Sequence, residues 1–230
     1  YDTPISVTGT TAVAIDISNR LTSALVPFAL VVVGLSILLL LMVFRSVLVP
    51  IKAAIGFLLS VVASFGVVVA IFQWGWGENV LDFNSTGGIA AWLPMFLFVI
   101  LFGLSMDYHV FILSRVREYY DRGLDTEHAV AKGIKSTAGV VTSAAVVMML
   151  VFGVFATMPI IDMKEMGVGL AAAILIDATI VRAVLLPATM KLLGEWNWYL
   201  PTWLEWLPTL EHERSADLPL IDAEPARAAA

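Results

Sequence analysis

The chain has 230 residues, 60% of them hydrophobic and only 14% charged, with a formal net charge of −6. Soluble domains run near half apolar and a quarter charged, so this composition excludes a water-soluble fold and indicates a membrane protein. Cysteine is absent, which excludes disulfides and thiolate chemistry, and three scattered histidines do not make the cluster a metal site needs.

The opening YDTPISVTGTTAVAIDISNRL has no initiator methionine and no basic, cleavable leader. It reads as a short strand, Ile5 to Thr8, a turn at Gly9 and a helix from Thr10 or Thr11. Residues 1–24 are therefore expected to be the last strand-helix piece of an external domain, and the chain a fragment. Five apolar runs follow, each near the roughly 20 residues a helix needs to cross about 30 Å of hydrocarbon. They are residues 25–44, 53–72, 93–114, 138–155 and 167–190. None alternates with period two, so the expected fold is an all-α membrane protein, a bundle of five transmembrane helices, and not a barrel.

Lys and Arg mark the cytoplasmic side of such a bundle. Arg45 and Lys52 lie between the first and second spans, and Arg115, Arg117, Arg122, Lys132 and Lys135 between the third and fourth. QWGWGENVLDFNSTGGIAAW, between the second and third spans, has two acids and no Lys or Arg. The N-terminus is then expected outside and the C-terminus in the cytoplasm. The segment Arg115 to Lys135 is expected along the cytoplasmic surface, with a helix starting at Asp125 or Thr126. After the last span, residues 191–210 carry Trp196, Trp198, Trp203 and Trp206, and form an expected interfacial segment at headgroup level. Residues 195–230 hold seven acids against Arg214 and Arg227, so 211–230 reads as an acidic, disordered tail.

Within the third span stands Asp107, fourteen residues and about 21 Å of helix past Leu93. An ionised Asp inside the bilayer costs roughly 3 kcal/mol, so it is expected to face protein or a cavity and to mark an ion pathway. Gly103, Asp107 and Ser114 share one side by their i, i+4, i+11 spacing, a small and polar stripe that suits a helix interface. His109 points about 100° away from Tyr108 and is expected to be structural. The last span holds Asp177 and Arg182, whose five-residue step sets them about 140° apart on an α-helix, outside the usual i, i+4 pairing. Each is expected to find its partner elsewhere. Thr142 and Ser143 on the fourth span are candidate hydrogen-bond partners for a carboxylate. No glycine-rich phosphate loop is present, no cofactor is expected, and the basic residues follow the topology rule without remainder, leaving nothing for nucleic acid.

FGLSMDYHVFILSRVREYY, followed by GIKSTAGVVTSAAVVMML and ILIDATIVRAVLLPATMKLLG, resembles the C-terminal transmembrane block of the MMPL family (mycobacterial membrane protein large) in the resistance-nodulation-division superfamily. VTGTTAVAIDISNRL resembles that family's exit from its second external porter domain. The resemblance implies the last five helices of a twelve-helix transporter core, not an enzyme, that exports lipids or other hydrophobic compounds on the proton gradient. Its implied partners are the N-terminal half of the same transporter, membrane lipids, the substrate and protons. Asp107 and Tyr108 would be half of a proton relay whose other Asp-Tyr pair lies in that N-terminal half, with Arg115 polarising the inner end. Two other classes share parts of this pattern. A sterol-sensing membrane domain shares the helical architecture without transport. An intramembrane aspartyl protease needs Tyr-Asp and Gly-x-Gly-Asp, where this chain has Asp-Tyr and Leu-Ile-Asp.

Overall fold

The computed structural model describes residues 9–85, 87–201 and 204, and the expected strand at Ile5 to Thr8, Trp203, Trp206 and the acidic tail lie outside them. Among the described residues the fold is all-α, with five helices long and apolar enough to cross a membrane. Helix α1 is Thr10–Phe44, α2 Leu48–Val68, α3 the short Glu78–Leu81, α4 Leu93–Asp121, α5 Thr126–Phe155, α6 Ile161–Ile176 and α7 Leu186–Leu193. Two of them are extended by wider, i→i+5 turns: Val69–Gln73 prolongs α2, and Asp177–Leu185 joins α6 to α7 in one continuous rod.

Every span overruns its apolar run. The 35 residues of α1 reach about 52 Å, well beyond the roughly 30 Å of hydrocarbon, so the lead-in from Thr10 and the first span form a single helix. Only Ser36, Leu40 and Phe44 of α1 are buried, which fastens it to the bundle by its C-terminal part. Helices α4 and α5, of 29 and 30 residues, run antiparallel and meet in a tight turn at Arg122–Asp125. The segment 115–135 therefore does not lie across a surface; it is the tip of a helical hairpin. Gly133 makes this hairpin close, because a Cβ there would sit 2.9 Å from the Val116 Cα. Asp125 is the N-cap residue of α5, as expected, but its carboxylate takes its hydrogen bond from His128 Nδ1 at 2.5 Å and not from a backbone N–H.

Lipid tails are as apolar as leucine, so packing and not exclusion from water holds membrane helices together. Phe57 of α2 is fully buried at the centre, edge-on to Phe98 at 5.2 Å and Phe102 at 5.4 Å; such pairs contribute about 0.5–1.5 kcal/mol each. Leu97, Leu113, Val116, Leu170 and Met190 complete the core.

The chain's turns tie both ends of the bundle. At one end the buried Lys164 donates to the carbonyls of Leu81 and Asp82, and the buried Glu165 accepts the Ala90 N–H at 3.0 Å, stapling the α2–α4 connection. At the other, basic end the turn Gly194–Trp198 is folded onto the bundle. Asn197 is fully buried, accepts from Lys52 and donates to the Met190 and Gly194 carbonyls. Trp198 stacks on Tyr120 with ring centroids 4.9 Å apart, lies under the Arg117 guanidinium and donates to Thr126 at 3.3 Å. Of the expected interfacial tryptophans, Trp196 is exposed while Trp198 is a packing residue.

Candidate functional site

Helix α4 presents Asp107 to the outside of this bundle. Asp107 and Gly103 are exposed, Ser114 is half-buried, and no atom lies within 4 Å of where a Gly103 Cβ would stand. The small and polar stripe is thus one open face, flanked by Phe96, Val99, Val110 and Phe111. Asp107 makes no hydrogen bond or ion pair with any described residue. Arg115, eight residues and about 12 Å further along the helix, is engaged by Glu118 at 2.7 Å, so of the three expected relay residues Arg115 is not brought to Asp107. Thr142 and Ser143 are exposed on α5, and the Ser143 hydroxyl donates to the Val140 carbonyl at 3.0 Å.

Tyr108, the neighbour of Asp107, turns inward to a second, closed cluster. There Asp177 and Arg182 are both buried and form an ion pair. This corrects the expectation that each would find its partner elsewhere. The 140° separation holds for an α-helix, but Asp177–Leu185 winds as i→i+5 turns, which bring residues five apart onto one face. Asp177 Oδ1 also accepts from Ser60 of α2 at 3.2 Å and from Ser105 of α4 at 3.1 Å. The Arg182 guanidinium covers the Tyr108 ring at 4.4 Å, and its buried Nε has no acceptor. A cavity of about 10 Å³, room for about one water, lies among Ser60, Ser105, Tyr108, Asp177 and Arg182. Three elements, α2, α4 and the Asp177–Leu185 stretch, meet here with one carboxylate and one guanidinium between them.

Three members of this cluster escape sequence reasoning. Ser105 and His109 share a face at i, i+4, a legible signal, and the ring Nδ1 lies 2.9 Å from the Ser105 carbonyl. Ser60 carries no signal at all, being one small residue in an apolar span.

Comparison with known proteins supplies what the geometry does not. A model of the MMPL family matches residues 1–211. Membrane protein YdfJ of Bacillus subtilis (strain 168) is 45% identical over 202 residues, 86% of this chain and 28% of its own length. Heme uptake protein MmpL11 of Mycobacterium tuberculosis (strain H37Rv) is 42% identical over 222 residues, 95% of this chain and 22% of its own length. The mycolic acid-containing lipids exporter MmpL11 of Mycolicibacterium smegmatis is 41% identical over 222 residues, 95% of this chain and 23% of its own length. The chain thus spans between a fifth and a third of the length of these relatives.

Proposed function

The chain belongs to the MMPL family, and on that premise we propose that it is the C-terminal membrane block of a proton-driven exporter of lipids or other hydrophobic compounds. Asp107 is the carboxylate that takes up and releases the proton. The observation that carries this reading is its isolation. Lys52, Lys164, Glu165, Asp177 and Arg182 all have polar partners, whereas Asp107 stands without one on an open face of α4. A structural carboxylate is paired; a coupling carboxylate has to change partner.

The face around Gly103 and Asp107 receives the N-terminal half of the same transporter, where a second Asp-Tyr pair completes the relay. The end that carries Arg45, Arg115 and Arg122 is cytoplasmic, by the rule that basic residues stay inside. Moving one charge through 100 mV supplies about 2.3 kcal/mol. Protonating Asp107 removes a desolvation cost of similar size, so it shifts how the two faces pack. Tyr108, whose ring lies under the Arg182 guanidinium, is the hydrogen-bonding companion of the facing carboxylate, and Arg115 polarises the inner boundary. The relatives' names differ over cargo, heme in one and mycolic acid-containing lipids in another, so the proposal stays at the class of hydrophobic compounds.

The test is Asp107→Asn in the full-length transporter, which keeps the shape and deletes the proton site. Export is expected to vanish while the folded amount in the membrane stays near wild type. A folded Asn variant that still exports with an unchanged response to the proton gradient overturns the assignment.

A further inference from the structure

Beneath the Asp177 cluster, towards the basic end, a cavity of about 110 Å³ opens between α2 and the Asp177–Leu193 stretch, with room for several waters. Lys52, Val181, Leu185, Leu186 and Thr189 line it, and so does the edge of His109. That histidine is only 1% exposed. Its Nδ1 faces the Ser105 carbonyl, which can only accept, so the neutral ring carries its hydrogen on Nδ1 and a lone pair on Nε2. Nε2 has no partner among the described residues. It faces α2 at Gly56, 3.9 Å from where a Cβ would stand. A buried imidazole with one nitrogen committed to the backbone and the other unpaired, in a residue that lines a cavity, is arranged to bind a proton from that cavity.

We propose that His109 is a second proton-binding site, distinct from Asp107 and loaded from the basic end of the bundle through this cavity, whose charge sets how firmly Asp177 holds Arg182. The proposal rests on the reading of Asp107 as the coupling carboxylate, since it assigns His109 the part of a positioning residue acting on Tyr108. A proton from the solution at the basic end, relayed through water in the cavity, binds the Nε2 lone pair, and the ring becomes imidazolium with its Nδ1–H still donating to the Ser105 carbonyl. The Ser105 hydroxyl stands between the ring, at 3.5 Å, and Asp177 Oδ1, at 3.1 Å. A positive ring therefore gives Asp177 a second cation and loosens its hold on Arg182, the group that covers Tyr108.

The charges around the ring are few. Asp177, reached through the Ser105 hydroxyl, and its partner Arg182 are the ring's charged neighbours, and Lys52 shares the cavity lining. Residues 21–44 of α1 and 136–155 of α5 contain no titratable charge. On α4 itself, Asp107 lies on the exposed face and Tyr108 turns inward under the Arg182 guanidinium.

The test uses the full-length protein in vesicles, with proton-coupled export measured while the pH on the two sides is varied in step, so that the proton gradient stays constant. His109→Asn keeps an amide donor for the Ser105 carbonyl and removes the titrating nitrogen. Wild type is expected to change rate about tenfold between roughly pH 5.5 and 7.5, and the Asn variant by less than about twofold, with folded amounts alike. A His109→Asn profile that keeps the wild-type slope overturns the proposal, as does equal loss of transport at every pH, which marks a merely structural residue. Asp107→Asn is run beside them. If it is inactive while His109→Asn keeps the wild-type profile, only the histidine proposal falls; if it still exports, the reading of Asp107 falls first.

Discussion

Removing either member of the Asp177–Arg182 pair is the sharpest perturbation the structure offers. Asp177→Asn keeps an oxygen for the Ser60 and Ser105 hydroxyls but takes away the charge that Arg182 faces. Arg182 is then a buried cation with a bare Nε and no counter-ion. Breaking one side of such a pair costs about 3–5 kcal/mol, whereas replacing both sides by apolar residues of similar volume is often neutral or stabilising. The expected pattern is therefore Asp177→Asn and Arg182→Gln each destabilised by about 3–5 kcal/mol. Asp177→Leu combined with Arg182→Met is expected within about 1 kcal/mol of wild type. Thermal or denaturant unfolding of purified protein in detergent, followed by tryptophan fluorescence, reads all four. Single variants within about 1 kcal/mol of wild type, or a double variant that costs the sum of the singles, would refute a buried pair at this site.

Asn197→Ala strips two carbonyls and Lys52 of their partner, so a loss of about 1–3 kcal/mol is expected, with Trp198 becoming accessible to quencher. Gly133→Val drives a side chain into the Val116 backbone and is expected to cost about 1–3 kcal/mol in unfolding measurements, while Gly139→Ala, with nothing within 4 Å of its Cβ, is expected to be neutral or slightly stabilising. Gly103→Val is expected to leave the stability of residues 1–230 within about 0.5 kcal/mol of wild type. In the full-length transporter the same change is expected to abolish export by blocking the face around Asp107; unimpaired export would show that face to be lipid-exposed. Vesicles holding residues 1–230 alone are expected to show no proton-coupled export, a flux assay deciding the matter.

Hydropathy is a local, one-dimensional property, and whatever depends on it was readable along the chain. Five long apolar runs against hydrocarbon thickness determined five membrane-long helices, and ideal α-helical spacing placed Gly103 and Asp107 on one face of α4, where the structure also has them. Hydropathy did not give the ends of those helices; the turn at Gly9 and the cap at Asp125 gave the starts of α1 and α5, while the polar end of α4, up to Asp121, is fixed only by its packing against α5. What failed outright depended on departures from ideal winding and on distant partners. The i→i+5 turns at Asp177–Leu185 bring Asp177 and Arg182 together, and their local sequence, ordinary for a membrane helix, does not announce them. Ser60 and His109 gain meaning only where α2 and α4 cross that stretch. Trp198 packs on the bundle because Tyr120, Arg117 and Thr126 stand against it, 72 or more residues away along the chain. Side-chain contacts across so long a separation are decided by how the helices pack, and only the tertiary structure holds that information.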